Sequence, residues 1–291
     1  MRPERTLVLL VTCSRDTSRR DMAIEVTNNV VGLLSNLGAL DRLVVFDNAS
    51  TFSDHLALLP GGVRVCQSGE NLGYWSAVKW VLDHLNELAP FPCDFIYVIE
   101  SDLVHSDFSA LAACEDFLDA EPEASSVRTQ EFSVRHRWRF DKRLQFLPFH
   151  VERSQVSLRN VVTGKAATFS RARNFRGLYL SNLHPKLPAL HRRSLLVPVF
   201  ERLAARDGFT EADFFAEAMK VKPLIGVLDG GLYHSITSWS DRERVISGSY
   251  GSSERLADLG YHSTRVCRIR PVSDCVVVRR VAESGSSDVS M

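Results

Sequence analysis

The sequence predicts an α/β protein with a mostly parallel sheet, and three observations point to that fold class. Short apolar runs recur along the first 120 residues, and each run ends at polar residues. Between the runs lie longer segments whose apolar residues recur at helical spacing. The chain has 291 residues, is 45% hydrophobic and carries no net charge, which suits one α/β domain of ordinary composition. Strands that alternate with helices form parallel sheets with helices on both faces.

The predicted elements follow this alternation in chain order. The strands are predicted at 6–12, 42–46, 63–66, 94–100 and 224–228. The helices are predicted at 21–38, 74–88, 107–118, 198–206 and 211–221. The first part of the chain is therefore Rossmann-like. The part after residue 121, where the alternation stops, is predicted to be an α+β extension. Residues 271–291 are hydrophilic apart from a short apolar run at Val276–Val278, and a disordered tail is predicted there.

The most informative strand is the one that ends in Glu100, Ser101 and Asp102. Open α/β sheets bind ligands at the carboxyl ends of their strands. Spacing of i, i+2 directs both carboxylates the same way. Their mutual repulsion would be cancelled by a hard divalent cation such as Mg²⁺ or Mn²⁺, which prefers oxygen ligands. A polar strand end that simply faces water is the alternative.

The sequence lacks the motifs that are typical of several other classes of protein. It has no G-x-G-x-x-G after the first strand and no P-loop motif, so dinucleotide oxidoreductases and P-loop enzymes lose their best evidence. No apolar run reaches the roughly 18 residues of a membrane span. The six cysteines include no C-x-x-C pair. That pattern favours reduced thiols and a cytoplasmic location.

A basic stretch at 134–176 stands out from the neutral chain. It holds eleven Lys or Arg residues and two acidic ones, so its net charge is +9, and aromatic residues are interleaved with the basic ones. A solvated charged face is one interpretation. The other is a surface for an anionic partner, which could be a phosphorylated lipid head group, an acidic glycan or a nucleic acid whose bases stack on the aromatic residues.

Five landmarks in chain order resemble one known family, the metal-dependent glycosyltransferases of the GT-A fold, and especially the inverting type called family 2. The resemblance runs from about residue 5 to residue 234. The landmarks are LVLLVTCSR, VVFDNAST, ENLGYWSAVKWVL, YVIESDLV and GFTEADFFAEAM followed by LYH. In that family they correspond to the first strand and donor loop, the second strand with its terminal Asp, the Asn-x-Gly turn and helix, the D-x-D strand, and the acceptor-side acidic motif with a late His.

The resemblance implies a role for each matching residue. The residues implied to bind the nucleotide-sugar donor are Thr12, Ser14, Arg15, Asp47, Asn71, Gly73 and Ser101. The implied metal ligands are Asp102, Glu100 and His234. The implied base is Asp213 or Glu211. Each role has an alternative. Asp47 could form an Asx-turn, and the acids of the acceptor motif could cap a helix. His234 could be a histidine at a strand end whose hydrogen bonds are made within the protein.

The sequence departs from the family pattern at two informative positions. Glu100 replaces the first Asp of D-x-D. Its longer side chain changes the reach of that ligand, so Asp102 is expected to be the main metal ligand. Ala212 separates Glu211 from Asp213, which are adjacent acids in the family. At i, i+2 on a helix the two acids lie about 200° apart, so only one of them can face the site.

The sequence as a whole predicts a cytoplasmic, metal-dependent glycosyltransferase that moves a sugar from a nucleoside-diphosphate donor to a hydroxyl acceptor, with inversion. Residues 1–120 are expected to bind the donor and residues 121–270 to build the acceptor side. One rival is a sugar nucleotidyltransferase, although the loop after the first strand has no glycine. A second rival is a non-catalytic protein that binds nucleic acid or another polyanion through the basic stretch.

Overall fold

The computed structural model describes residues 4–129, 146–151, 155–160, 166–183, 185, 187–236, 266–270, 272 and 275–281. The strands are β1 (Thr6–Thr12), β2 (Leu43–Asn48), β3 (Arg64–Ser68), β4 (Phe95–Glu100), β5 (Leu103–His105), β6 (Ala124–Arg128), β7 (Phe146–Val151), β8 (Gln155–Asn160), β9 (Ala166–Arg171), β10 (Leu178–Ser181), β11 (Leu190–Arg192), β12 (Leu224–Leu228), β13 (Tyr233–Ser235) and β14 (Val276–Arg280). The α-helices are α1 (Thr17–Asn36), α2 (Tyr74–Asp83), α3 (Leu85–Leu88), α4 (Ala110–Ala120), α5 (Arg193–Ala204) and α6 (Glu211–Val221). Short 3-10 helices occupy Leu40–Arg42 and Asp54–Leu58.

The described strands form one large sheet in the order β14-β3-β2-β1-β4-β11-β6-β12-β10-β9-β8-β7 and a small sheet of β13 and β5. Strands β3, β2, β1 and β4 are parallel. Strand β11 is antiparallel to both β4 and β6, so β6 and its parallel partner β12 run in the same direction as β4. The carboxyl ends of β1, β2, β3, β4, β6 and β12 therefore meet at one edge, called the carboxyl edge below. The predicted α/β fold class is confirmed.

Strand β1 and its neighbours are buried on both sides because helices cover both faces of the sheet. The apolar residues of β1 alternate between two separate cores, as the period of two in a strand requires. Leu7 and Leu9 belong to the core that includes α2, α5 and α6. Val8 and Leu10 belong to the core that includes α1 and α4. Each fully buried Leu or Val contributes roughly 1.5–3 kcal/mol to the free energy of folding.

The second half of the chain adds an antiparallel extension to the parallel sheet. Strands β10, β9, β8 and β7 follow one another as antiparallel neighbours beyond β12. Much of the predicted basic stretch, at 134–145, 152–154 and 161–165, lies outside the described residues. Within the described part of that stretch, Arg171, Arg173 and Arg176 are exposed.

Four of the five predicted helices have different bounds in the structure, and for two of them the difference has a clear physical reason. The helix predicted from Pro198 begins five residues earlier, at Arg193, and contains the proline. Its buried side chains, which include Leu195, Val199 and Leu203, offset the loss of one helical hydrogen bond. The helix predicted at 74–88 is divided at His84, whose backbone N–H bonds to carbonyls of the preceding turn.

The predicted tail at 271–291 is wrong for Val276–Arg280, which form the edge strand β14. This strand pairs antiparallel with β3. Val277 and Val278 remain exposed, so the strand is held by its backbone pairing with β3 more than by burial of its side chains. Composition alone predicted disorder because only three of its five residues are apolar. Beyond residue 281 the predicted tail lies outside the described residues.

Candidate functional site

The acidic turn lies at the carboxyl edge, where β4 ends at Glu100 and β5 begins at Leu103. Asn29 of α1 fixes β5 on its outer side. The Asn29 side-chain amide donates to the carbonyl of His105 at 2.9 Å and accepts from its N–H at 2.8 Å. Because both polar groups of the amide are satisfied by one residue of β5, helix α1 holds the strand that follows Asp102 in place.

Strand β13 brings His234 to the same turn. His234 pairs with Val104 of β5, and the N–H of Ile236 donates to the carbonyl of Asp102 at 2.9 Å. His234 is exposed, whereas Glu100 and Asp102 are half-buried. Backbone pairing therefore places the segments that carry the three predicted metal ligands at one corner of the carboxyl edge, although His234 is far from the two acids in sequence.

The donor atoms at this corner suit a hard cation. Two carboxylates supply the oxygen ligands that Mg²⁺ and Mn²⁺ prefer, and such ions also take oxygens from phosphates. Among the residues that the structure describes, no three His, Cys, Asp or Glu side chains lie close enough together to hold a metal ion. Metal binding by Asp102, Glu100 and His234 stays a prediction, and a cation there would need oxygens from its substrate.

Tyr74, the first residue of α2, lies against this acid pair and was not among the predicted site residues. Its hydroxyl is buried and lies close to the carboxylate of Glu100. Burial raises the pKa of Tyr74 well above the usual value, and the nearby negative charge of Glu100 raises it further. The phenol therefore stays neutral and can act only as a hydrogen-bond donor or acceptor at this corner.

The turn before α2 is tied to the end of β2 by amide side chains. Asn48 is buried; its Oδ1 accepts from Leu72 N–H at 2.8 Å and its Nδ2 donates to Asn71 Oδ1 at 3.1 Å. The same Asn71 oxygen accepts from Gly73 N–H at 2.8 Å. Gly73 has φ of 81°, a conformation that favours glycine. The predicted pair Asn71 and Gly73 is thus held at the carboxyl edge by Asn48, and its contact with a donor stays a prediction.

Asp47, at the end of β2, lies in a buried polar cluster. Its side chain is 4% exposed. Its Oδ1 accepts from the Thr12 hydroxyl at 3.2 Å, and its Oδ2 lies 3.5 Å from Gln67 Nε2. His55 Nε2 is 3.0 Å from Thr12 Oγ1 and 3.8 Å from Asp47 Oδ1. The sequence predicted Asp47 and Thr12 for this site but not His55, whose imidazole completes the cluster.

The loop after β1 divides into an inner and an outer part. Ser14 is fully buried; its N–H donates to Ser50 Oγ at 2.8 Å and its hydroxyl to the Arg19 carbonyl at 3.3 Å. Ser14 therefore joins the loops that follow β1 and β2, and its predicted donor contact is untested. Arg15 is exposed and lies near Cys13. Burial raises the pKa of the Cys13 thiol, and the cationic Arg15 opposes that rise.

Helix α6 places the predicted base residues at the same edge. The helix has 11 residues and leads directly into β12, which has 5 residues. At about 1.5 Å per helical residue and 3.3 Å per strand residue, both are about 16 Å long, so α6 begins near the carboxyl edge. Phe214 in its first turn contacts Trp75 of α2, with 5.4 Å between ring centroids, which agrees with that placement.

Asp213 and Glu211 have different surroundings at the start of α6. Asp213 forms a capping box, since its Oδ2 accepts from Thr210 N–H at 2.7 Å and from Thr210 Oγ1 at 2.8 Å. Its Oδ1 pairs with Arg206 at 3.0 Å. The hydrogen bonds from Thr210 lower the pKa of Asp213, which makes it a weaker base. Glu211 lies on the side of the buried Phe214 and Phe215, with one carboxylate oxygen buried.

Comparison with known proteins gives loose likenesses. No known protein family and no curated protein matches the sequence. Among solved structures, a mannose-1-phosphate geranyltransferase from Thermus thermophilus is 14% identical with a TM-score of 0.43, over 84% of this chain and 80% of that one. A CMP:2-keto-3-deoxy-manno-octonic acid synthetase complexed with CTP is 11% identical with a TM-score of 0.46, over 84% and 98%.

TarS of S. aureus is 16% identical with a TM-score of 0.45, over 83% of this chain. The chain spans only 38% of the length of TarS. Likenesses as low as these carry no conclusion about the activity of this chain. In the described residues, no helix is long and apolar enough to cross a membrane. All six cysteines lie in the described part, and none forms a disulfide bond.

Proposed function

We propose that the protein is a metal-dependent glycosyltransferase that moves a sugar from a nucleoside-diphosphate donor to a hydroxyl acceptor with inversion. The observation that carries the proposal is the meeting of three chain segments at the carboxyl edge. The acidic turn after β4 meets the strand with His234 at the end of the parallel sheet, and the start of α6 lies near the same edge. A single corner thus holds candidates for binding the diphosphate and for activating an acceptor.

The donor would lie along the ends of β1, β2 and β4. Asp47 would accept a hydrogen bond from the base or the ribose, and Arg15 would pair with a phosphate oxygen. Asn71 and Gly73 would shape the wall on which the donor rests, and Ser101 would face the sugar. Residues 1–120 would thus form the donor half and residues 121–270 the acceptor half of one sheet.

Transfer breaks the bond between the anomeric carbon and a diphosphate oxygen, whose electron pair leaves with the diphosphate. A divalent cation held by Asp102 with Glu100 would neutralise the negative charge that grows on the leaving group. His234 would add a ligand or donate to a phosphate. Tyr74 would remain neutral beside the acid pair and hold its hydroxyl toward Glu100.

The acceptor hydroxyl must lose its proton as its oxygen bonds to the anomeric carbon. The hydrogen bonds from Thr210 lower the pKa of Asp213 and make it a weaker base, so we assign the base to Glu211. The carboxylate of Glu211 would take the proton, and attack from the face opposite the diphosphate would invert the configuration. Arg171, Arg173 and Arg176 are exposed at the end of β9 and in the turn that follows it. These three arginines support an anionic acceptor in the second half of the chain.

Nucleotidyl transfer is the second candidate, and one feature of the structure disfavours it. An enzyme of that type grips a triphosphate with a glycine-rich loop after the first strand. Here the loop leads into α1 through the N-cap Asp16, whose carboxylate accepts from Arg19 N–H at 2.8 Å. A carboxylate at the start of α1 repels phosphate at the position where a helix N-terminus would otherwise attract it.

The two reactions release different products, and this difference provides the test. Purified protein with Mn²⁺ is incubated with UDP, GDP, dTDP, ADP or CDP sugars, and separately with nucleoside triphosphates plus a sugar 1-phosphate. Release of a nucleoside diphosphate from one sugar donor, lost in Asp102→Ala, is expected. Pyrophosphate release from a triphosphate would instead establish nucleotidyl transfer. The assay is run with a thiol reductant, which suits the cytoplasmic location that we propose from the scattered cysteines.

A further inference from the structure

His55 is buried at the base of the proposed nucleoside site, although it lies in a different segment from the residues around it. It belongs to the 3-10 helix Asp54–Leu58, which folds back beneath the end of β2. Its side chain is fully buried, and Thr12 is 1% and Asp47 3% exposed. The three side chains form one polar cluster between apolar strands, so their hydrogen bonds set one another's orientation.

The hydrogen atoms in this cluster can be placed from the contacts. His55 Nε2 is 3.0 Å from Thr12 Oγ1, whereas its buried Nδ1 is near the Phe52 carbonyl but is not aligned for a hydrogen bond with any described group. A proton on Nε2 is therefore favoured, because this nitrogen faces the hydroxyl and the negative Asp47 at 3.8 Å. The Thr12 hydroxyl can then donate to Asp47 Oδ1 at 3.2 Å.

This chain of donors leaves the two oxygens of Asp47 in different situations. Oδ1 accepts a hydrogen bond from the Thr12 hydroxyl, and that hydroxyl is in turn contacted by His55 Nε2. Oδ2 is contacted only by Gln67 among the described residues, at the long distance of 3.5 Å, and Gln67 is partly exposed. Oδ2 is therefore the oxygen that can accept a further hydrogen bond.

We infer that His55 is a positioning residue for the nucleoside. Acting through Thr12, it orients Asp47 so that Oδ2 accepts a hydrogen bond from an N–H or O–H group of the base or ribose. The inference rests on the proposed function, because it concerns the nucleoside part of the donor. A buried histidine with one poorly satisfied nitrogen is costly in a core. A purely structural role would be filled as well by an apolar side chain.

Two substitutions of His55 separate positioning from simple filling of space. In His55→Gln the amide nitrogen takes the place of Nε2 and can still donate to Thr12. In His55→Asn the amide lies at the place of Nδ1 and cannot reach the hydroxyl. Affinities of UDP, GDP, dTDP, ADP and CDP with Mn²⁺ are measured by calorimetry for both variants, for Asp47→Asn and for the His55→Asn/Asp47→Asn double variant.

The inference predicts about a tenfold loss of affinity in His55→Asn, the effect of one well-placed hydrogen bond, and near-normal affinity in His55→Gln. It also predicts no further loss when His55→Asn is added to Asp47→Asn. Equal affinities in the two His55 variants, with a clear loss in Asp47→Asn, would overturn the inference and leave the proposed function intact. Failure of the wild type to bind any of the five nucleotides would contradict the proposed function itself, and the inference with it.

A second measurement does not depend on folded variants. Long-range ¹H–¹⁵N spectra of the wild-type protein report which ring nitrogen of His55 carries the proton. The inference requires a proton on Nε2. A neutral ring protonated only on Nδ1, toward Phe52, could not donate to Thr12 and would overturn it, even if both His55 variants failed to fold.

Discussion

Replacing Asn48 by alanine is expected to show how strongly the edge of the sheet depends on a single buried amide. The side chain is 2% exposed and connects the end of β2 with the turn that begins α2. Its removal leaves the N–H of Leu72 without its 2.8 Å acceptor, in a residue that is itself 4% exposed. An unsatisfied buried donor costs about 1–3 kcal/mol, and the lost bond to Asn71 adds about 0.5–1.5 kcal/mol.

Asn48→Ala should therefore lower the free energy of unfolding by about 1.5–4.5 kcal/mol. Urea denaturation followed by circular dichroism measures this, with an unchanged dependence on urea if the denatured state is unaffected. Asn28→Ala is the matched control, because Asn28 is exposed on α1 and should change stability by less than about 0.5 kcal/mol. A loss in Asn48→Ala no larger than in Asn28→Ala would refute the reasoning.

Three further predictions concern the helices and the sheet. Gly226→Ala should destabilise the fold by about 1–3 kcal/mol, because an added Cβ would lie 2.5 Å from the Phe117 ring; unchanged urea stability would contradict the packing. Glu211→Gln should lower kcat by roughly 100-fold or more, whereas Asp213→Asn should mainly lower the melting temperature, and the reverse pattern would return the base to Asp213. Hydrogen bonds from Lys220 and Arg202 lower the pKa of Glu217 in the folded protein. The ionised Glu217 therefore stabilises the fold at neutral pH. This stabilisation is lost as the pH falls from the pKa of the unfolded chain to the lower pKa of the folded protein. The free energy of unfolding should therefore fall less steeply with acid in Glu217→Gln than in the wild type. An identical acid transition in the two proteins would contradict the stabilising role of the ion pairs of Glu217.

The sequence predicted strands β1, β2, β4 and β12 well because each is a largely apolar run. Such runs are typical of strands that are buried on both faces, and the carboxyl edge follows from where they stop. The parallel strand β6 was not predicted, because its sequence ASSVR is largely polar. Strand β11 was not predicted. It has only three residues, Leu190–Arg192, and its antiparallel position between β4 and β6 depends on pairing across the whole domain.

The candidate site was predicted in part for the same physical reason. Acids at the ends of strands are visible in a sequence, and so is a turn that contains Asn and Gly. His55, by contrast, lies 43 residues from Thr12 in the chain, and nothing local distinguishes it from a histidine in a loop. Asn48 and Tyr74 were also missed, because their roles depend on how the turn before α2 docks on β2. The double role of Asp213 could be anticipated, since an acid three residues after Thr210 is a capping signal.

The central claim is that the carboxyl edge binds a nucleoside diphosphate through a cation at Asp102. The most direct measurement is a thermal shift with UDP, GDP, dTDP, ADP and CDP, with and without Mn²⁺, on the wild type and on Asp102→Ala. At a hundredfold excess over Kd, a ligand should stabilise the fold by about 2.7 kcal/mol, which corresponds to roughly 5 °C in a chain of this size. A shift with one nucleotide that requires both Mn²⁺ and Asp102 is the predicted result. No shift with any nucleotide, or an equal shift in Asp102→Ala, would contradict the claim.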